Sequence, residues 1–258
     1  MTVVNLSISN QGVATITLND SQNLNAMSEE MAADFSTVVD TLRRNSSVRA
    51  VVITGSGKAF SAGGHLEMLD KKRSLSGEEN RRLMHLFYGS FLSILDLKVP
   101  LIAAINGAAI GAGLCVACAC DIRVASTSAK LGFTFLKLGL HPGMGATFLV
   151  PRIIGRAAAT ELLMTGRVVT AQDALALGLV SSVVADTDLQ SSVDKLIAEL
   201  FSVGPEALTQ LVETMRGDLT GLRNALEREA LCQSINYTGK EFREGVSALR
   251  EKRAARFS

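Results

Sequence analysis

The chain has 258 residues, 47% of them hydrophobic, and carries 26 lysines and arginines against 25 aspartates and glutamates. A chain of this length buries a sizeable core without disulfide support, so the composition indicates a folded globular protein. The net charge of +1 gives no general electrostatic reason to bind nucleic acid or an anionic membrane, and it disfavours both kinds of partner.

The first fifty-four residues predict two strands, a helix and a third strand. Strands at 3–9 and 13–18 are joined by the hairpin signal at 10–12, and Ser28 is the N-cap candidate of a helix with an acidic first turn. A β-branched run at 50–54 then predicts a fully buried strand. Because strand, helix and strand in succession form the unit of a parallel sheet, the pattern predicts an α/β fold.

A Gly-rich loop at 55–64 leads into the charged stretch 70–82, which we predict to be the most mobile region, and then into a helix at 83–95. Residues 99–120 carry no charge over a length that could cross a bilayer. Pro100, Asn106 and the glycines of this segment argue against a membrane span. The segment instead predicts a buried strand at 101–105, a Gly-rich turn and a buried helix at 112–119.

The rest of the chain continues the βα pattern and then becomes helical. We predict strands at 122–125 and 179–184, a turn at 139–145 and a helix that begins after Thr170. From Leu189 onward the pattern predicts three or four amphipathic helices. Because their apolar residues have no strand to cover, we expect these helices to assemble subunits. Those residues are Leu208, Leu211, Val212, Leu226 and Leu231.

Three of the four cysteines, Cys115, Cys118 and Cys120, stand in an apolar segment. A closed zinc site needs four ligands, so we interpret these thiols as small core residues and predict no metal site. Few cysteines in a chain of this length fit a reducing compartment, and the first ten residues lack the pattern of a signal peptide. We therefore expect a cytoplasmic protein.

Two Gly-rich turns each follow a predicted buried strand, one at 58–66 and the other at 106–113. Such turns free backbone N–H groups, and two of them meeting at strand ends would form an oxyanion hole. The same pattern is also an ordinary packing device, and spacing alone does not separate the two readings. Neither turn completes a phosphate-loop or dinucleotide-binding motif.

Several segments in order resemble the crotonase superfamily, the enoyl-CoA hydratase/isomerase family, over nearly the whole chain. They are 24–28, 59–64, 100–107, 111–113, 120–123, 139–147, 174–180 and 251–253. The resemblance implies an α/β fold with a crotonase-like repeated ββα spiral core at 1–200, which holds the acyl-CoA site. It implies C-terminal helices at 201–258 that form trimers or hexamers and close the CoA site, and a coenzyme A thioester as substrate with no separate cofactor.

The resemblance also assigns site residues. The two oxyanion N–H donors fall on Gly64 and Ala112. The adenine and pantetheine of CoA would lie along the loop that includes Phe60 and Ala62, and Lys252 would meet the CoA phosphates. Ala26 and Leu66 complete the residues expected to border CoA.

The chain departs from the family at the positions of the two hydratase glutamates, which hold Cys115 and Phe135. Hydration needs a base to activate water and an acid to protonate carbon, and neither residue supplies a carboxylate. Candidate replacement groups for proton transfer are His65, which follows an oxyanion donor, His141 in the turn 139–145, and Glu67; each also fits the pattern of a surface or packing residue.

We therefore expect an acyl-CoA enzyme of enoyl-CoA hydratase/isomerase type that stabilises a thioester enolate. Two alternatives stay open at this point. One is other family chemistry on the same enolate, namely double-bond isomerisation, decarboxylation or thioester hydrolysis. The other is a CoA-binding protein with no turnover.

Overall fold

The computed structural model describes residues 2–257, which form ten strands and ten α-helices. The strands are β1 (Val4–Ile8), β2 (Val13–Leu18), β3 (Ala50–Gly55), β4 (Ala59–Ser61), β5 (Leu101–Ile105), β6 (Ala108–Ile110), β7 (Ile122–Ser126), β8 (Lys130–Gly132), β9 (Val168–Thr170) and β10 (Ser182–Val184). The helices are α1 (Glu29–Arg43), α2 (Leu66–Lys72), α3 (Gly77–Leu92), α4 (Ala112–Ala119), α5 (Ala146–Thr165), α6 (Ala171–Ala176), α7 (Leu189–Phe201), α8 (Pro205–Arg216), α9 (Thr220–Asn236) and α10 (Lys240–Arg250).

The strands form two sheets, and the chain alternates between them. The larger sheet has the order β1-β2-β3-β5-β7-β10 and is parallel except for the β1–β2 hairpin. The smaller sheet has the order β4-β6-β8-β9, with only β8 and β9 antiparallel among its pairs. Each of β3, β5 and β7 in the larger sheet is followed directly by β4, β6 or β8 in the smaller one, and then by helical structure. This repeated ββα spiral confirms the predicted fold class.

The main core lies between the sheets and helices α1, α3 and α4. Phe35 and Phe91 bring α1 and α3 together there, with ring centroids 5.1 Å apart. A smaller cluster covers the other face of the larger sheet, where Val52 and Ile102 pack against Val193 of α7. Helix α7 therefore packs on the larger sheet.

Several local predictions are confirmed. Ser28 caps α1 by accepting a hydrogen bond from the Met31 N–H at 3.1 Å. Thr170 and Asp173 form a capping box at the start of α6. The uncharged segment folds as β5, β6 and α4, and no helix among residues 2–257 is both long and apolar enough to span a bilayer.

The charged stretch 70–82, which we predicted to be the most mobile region, is helical at 70–72 and at 77–82. Lys72 ends α2 with its side chain only 2% exposed, and Ser76 caps α3 by accepting from the Glu79 N–H at 3.1 Å. Helix α3 therefore begins six residues before the predicted position 83 and ends at Leu92, before 95. The charged side chains at the start of α3 lie on its solvent-facing side, and the other face of that helix is buried.

Three further differences concern strands and a helix whose hydrophobic pattern in the sequence does not reveal them or their bounds. The four strands of the smaller sheet are only three residues long, too short to show a period. Helix α5 contains Pro151 and a non-helical Gly155, which interrupt its sequence pattern. Strand β10 begins at Ser182, whereas residues 179 and 180 form a buried turn.

Candidate active site

The two Gly-rich turns lie in contact where β4 and β6 end. A Cβ atom on Gly63, whose φ is +88°, would lie 2.7 Å from the Ile110 carbonyl oxygen and 3.7 Å from the Ala112 nitrogen. Gly111 has φ 52° and ψ −122°, a conformation that a side chain disfavours strongly. Glycine at both positions lets the two backbones approach each other.

Each turn presents one backbone N–H without a partner. Met27 donates to the Gly63 carbonyl at 2.7 Å and accepts from the His65 N–H at 3.0 Å, so the intervening Gly64 N–H points away from this bridge. Ala112 is the first residue of α4, where an N–H has no acceptor within the helix. Within residues 2–257 neither the Gly64 nor the Ala112 N–H has a hydrogen-bond acceptor.

Both free N–H groups belong to residues that line one cavity of about 630 Å³. This volume is typical of small-molecule sites. Its wall is mainly apolar, with side chains from α2, α3 and the loop before α5. These are Met68, Leu69, Met84, Phe87, Leu140 and Met144. Among residues 2–257, no Asp, Glu or His lines the cavity.

The structure brings together three of the nine predicted site residues, Ala62, Gly64 and Ala112, which all line the cavity. Phe60 is fully buried in the core, and Ala26 is 8% exposed beside the same turn. Leu66, the first residue of α2, is half-buried, and Lys252 is exposed just after α10. None of these four lines the cavity, so a role for them in CoA binding stays a prediction.

The expectation that His65 or His141 moves a proton finds no support in the geometry, because neither residue lines the cavity. His65 is the N-cap of α2 and its imidazole has no hydrogen-bond partner among the described residues. The His141 Nδ1 lies 2.7 Å from the Pro142 carbonyl oxygen, and the His141 N–H donates to Asn236 Oδ1 at 2.9 Å. His141 therefore ties the turn before α5 to α9.

The two positions that the resemblance pairs with hydratase glutamates differ in their surroundings. Phe135 lines the cavity, and its ring tip would lie 3.9 Å from a Cβ on Gly111. Cys115 is fully buried behind the wall, where its Sγ donates to the Gly143 carbonyl at 3.6 Å. Burial raises the pKa of the Cys115 thiol well above its usual value, so the thiol stays protonated.

A polar cluster that the sequence analysis missed joins α3 to α9 at the cavity. Tyr88 and Tyr237 both donate from their hydroxyls to Gln233 Oε1, at 2.8 and 3.0 Å. Gln233 Nε2 donates to the His141 carbonyl at 2.7 Å. Burial raises the pKa of both tyrosines, so both phenols stay neutral. We call Tyr88, Gln233 and Tyr237 the α3–α9 cluster.

Glu229, one turn before Gln233 on α9, holds the start of α5. Its carboxylate accepts from the Gly145 N–H at 2.7 Å, the Thr147 N–H at 2.9 Å and the Thr147 hydroxyl at 2.6 Å. Burial raises the pKa of Glu229, and the hydrogen bonds from Thr147 and Gly145 oppose that rise. Glu229, Gln233 and Tyr237 are spaced four residues apart, which places them on one face of a helix. This polar spacing is the feature of the sequence from which the cluster could have been predicted.

The residues after α10 complete the cavity wall, among them Arg253, Ala255 and Phe257. Glu244 of α10 anchors this tail by accepting from Arg253 Nη2 at 3.0 Å and from the Arg256 N–H at 2.7 Å. Hydrogen bonds from the Arg253 side chain and the Arg256 backbone lower the pKa of Glu244 to about 2. The tail is thus fixed beside an exposed side of the cavity.

Comparisons with known proteins agree with this architecture. The enoyl-CoA hydratase/isomerase family model matches residues 8–258. The chain is 40% identical over 256 residues to the Bacillus subtilis protein YngF, covering 96% of this chain and 95% of that protein. It is 32% identical to the 1,2-epoxyphenylacetyl-CoA isomerase of Escherichia coli, covering 98% and 97%.

A solved structure shows the same fold. The enoyl-CoA hydratase from Bacillus halodurans superposes with a TM-score of 0.88 at 26% identity, covering 95% of this chain and 99% of that one. The spiral of two sheets, the family match over nearly the whole chain and these relatives lead to one conclusion. The chain is an enzyme of the enoyl-CoA hydratase/isomerase family.

Proposed function

We propose that the enzyme binds an acyl-CoA thioester with its carbonyl oxygen between the N–H groups of Gly64 and Ala112. The observation that carries this proposal is that two unpartnered N–H groups, from two turns in contact, belong to one cavity wall. Donors held in place by the fold stabilise the negative charge that develops on a thioester oxygen when an enolate forms. Because Ala112 begins α4, the positive end of the helix dipole adds to this effect.

The reaction we propose is chemistry on that enolate other than hydration by a carboxylate pair. Phe135 stands at the cavity wall and Cys115 behind it, and among residues 2–257 no carboxylate lines the cavity. Decarboxylation forms the enolate by loss of carbon dioxide and needs no base on the wall, which suits a cavity that no Asp, Glu or His of the described chain lines. Isomerisation, which the relative named 1,2-epoxyphenylacetyl-CoA isomerase suggests, would need water in the cavity to take up the α-proton and return one elsewhere on the acyl group. Decarboxylation and thioester hydrolysis use the same enolate or oxyanion and are distinguished by substrate.

The test compares turnover of crotonyl, 3-enoyl, malonyl-type and aromatic acyl-CoA thioesters, together with exchange of the α-proton for deuterium in D₂O. Enolate formation predicts that deuterium from D₂O appears at the α-carbon of at least one thioester or of its product. Binding of CoA thioesters without deuterium incorporation or turnover would contradict enolate formation. Hydration of crotonyl-CoA as the fastest reaction would contradict the proposed reaction class.

Two substitutions at Gly64 isolate the N–H donor. Gly64→Pro removes the N–H and should cost on the order of 3 kcal/mol of transition-state stabilisation, as for loss of one oxyanion donor. Gly64→Ala keeps the N–H, and the nearest atoms to its Cβ would be those of the Leu69 side chain at 3.4 Å, an ordinary contact distance, so it should retain most activity. CoA affinity is measured beside turnover to detect distortion of the loop. Equal activity of both variants with the wild type would remove Gly64 from the site.

A further inference from the structure

The cavity has two chemically different sides. Lys137, Arg253 and Phe257 line it from exposed positions, whereas Tyr88 and Tyr237 of the α3–α9 cluster are each 1% exposed. Coenzyme A carries several phosphate charges, which cost too much to bury without partners. Arg253 is paired with Glu244 and Glu251, so Lys137 is the cation on the exposed side that suits CoA. The acyl group of a CoA thioester bound there would extend toward the buried side, where the α3–α9 cluster lies.

The cluster satisfies its own hydrogen atoms but not its lone pairs. Both tyrosine hydroxyls donate to Gln233 Oε1, which uses both of that oxygen's lone pairs, and the Tyr237 hydroxyl also lies 3.4 Å from Met84 Sδ. Within residues 2–257 no group donates a hydrogen bond to either phenolic oxygen. Gln233 Nε2 donates one N–H to the His141 carbonyl oxygen, and its second N–H has no acceptor among residues 2–257. The cluster therefore offers acceptors and one donor to a ligand.

An apolar acyl chain would leave the phenolic lone pairs and the second N–H of Gln233 unused. Desolvating an unpaired polar group costs free energy, whereas a hydroxyl group supplies one donor and two lone pairs. The rest of the wall is apolar, and both tyrosines of the chain stand at this one place. A cluster that served only to join α3 to α9 would not need to lie on the cavity wall.

We propose that the acyl group of the substrate carries a hydroxyl group, which the α3–α9 cluster recognises at the buried side of the cavity. The hydroxyl donates its proton to a phenolic oxygen of Tyr88 or Tyr237 and accepts the free N–H of Gln233. This inference rests on the proposed function, that an acyl-CoA thioester occupies the cavity. It adds the chemical class of the acyl group.

The test measures dissociation constants of the intact enzyme by calorimetry. The probes are octanoyl-CoA and a set of hydroxyoctanoyl-CoAs. Each hydroxylated probe carries a single hydroxyl group, at a different carbon beyond C3. We expect at least one hydroxylated probe to bind about three- to tenfold more tightly than octanoyl-CoA, the ratio that a neutral hydrogen bond provides. Tyr88→Phe or Tyr237→Phe should remove that preference while the affinity for octanoyl-CoA holds or improves.

A control variant separates recognition from general damage to the wall. Leu69→Met changes an apolar wall residue and should shift the affinities for both probes by the same factor, which preserves their ratio. Thermal midpoints of all variants are compared with that of the wild type. If a tyrosine variant does not fold, the wild-type comparison decides, because it needs no substitution.

The outcomes distinguish this inference from the proposed function. Equal affinities of the wild type for all octanoyl probes would overturn the hydroxyl proposal and leave the acyl-CoA proposal standing. A preference that persists in both phenylalanine variants would overturn the assignment to the α3–α9 cluster. If no CoA thioester binds, the proposed function itself fails.

Discussion

At the scale of single residues, close backbone approaches decide which side chains the site tolerates, and Gly143 shows this most directly. A Cβ on Gly143 would lie 2.5 Å from Tyr88 Oη and 2.7 Å from Gln233 Nε2. Gly143→Ala should therefore displace the α3–α9 cluster and lower the free energy of unfolding by about 1–3 kcal/mol, the usual cost of overpacking. Chemical denaturation measures this loss.

Gly89→Ala is the matched control for that substitution. Gly89 lies inside α3, and a Cβ there would have no atom within 4 Å. Alanine is a better helix former than glycine, so Gly89→Ala should raise the free energy of unfolding by about 0.5–1 kcal/mol. Equal losses in the two variants would show that the contact at Gly143 is not what limits that position.

Phe135 and Cys115 carry the second prediction at this scale. Since general acid and base groups each contribute about 10²- to 10⁴-fold, the wild type should hydrate crotonyl-CoA feebly or not at all. Binding of crotonyl-CoA, measured separately, should remain intact. A wild-type rate like that of a dedicated hydratase would contradict the prediction and show that the glutamate positions have been misassigned.

Introducing the two carboxylates extends that test. Phe135→Glu combined with Cys115→Glu should install measurable hydration, at a folding cost from burying two carboxyl groups. The matched control is Phe135→Leu, which opens the wall without adding a carboxylate and should not hydrate crotonyl-CoA. Hydration by the leucine variant would mean that space, rather than the carboxylate, is what the wild type lacks.

At the scale of elements, Glu229 is the contact through which α9 fixes the start of α5. The folded state raises the pKa of Glu229 above its unfolded value of about 4.3, so the folded protein binds more protons between these two values. The contribution of Glu229 to the free energy of unfolding should therefore fall as pH rises from about 4.3 through the raised pKa. Above that pH the difference should be constant.

Glu229→Gln provides the measurement, because it removes the titrating group and keeps one acceptor oxygen. The free energies of unfolding of the wild type and the variant are compared from mildly acidic to alkaline pH. The stability of the wild type relative to the variant should decrease with rising pH. A relative stability that increases with pH would show that the hydrogen bonds from Gly145 and Thr147 outweigh burial and lower the pKa.

At the scale of the whole molecule, the C-terminal helices leave apolar side chains in solvent. Leu211 and Met215 of α8 are 55% and 73% exposed, and Ile235 of α9 is 65% exposed. Leu231 is also exposed, whereas Val212 is buried within the chain. Leu211 and Met215 stand one turn apart on the same face of α8. Because exposed apolar side chains that are neighbours mark interaction surfaces, we predict that the protein forms trimers or hexamers through these helices.

Sedimentation at micromolar concentration checks this prediction. Leu211→Glu with Met215→Glu should shift the protein toward the monomer, since each places a charge in the contact. The control is Ile8→Thr, which changes an exposed apolar residue on β1, far in sequence from α8 and α9. It should leave the assembly unchanged. A wild type that sediments as a stable monomer would overturn the prediction.

The sequence by itself determined the α/β class, most strands of the larger sheet and the helix caps at Ser28 and Thr170. These features depend on local periodicity and local hydrogen bonds, which neighbouring residues encode directly. The ordered motifs of the resemblance added the ββα spiral. The two Gly-rich turns were also visible, because close approach and positive φ require glycine itself.

Only the tertiary structure decided which residues surround the cavity. It separated His65 and His141 from the wall, placed Phe135 on it and brought Tyr88 to Gln233 across 145 positions of the chain. It also showed that the short strands of the smaller sheet exist and that the charged stretch before Leu83 is divided between the end of α2 and the start of α3. Such features depend on contacts between distant segments, so no local pattern of the sequence carries them.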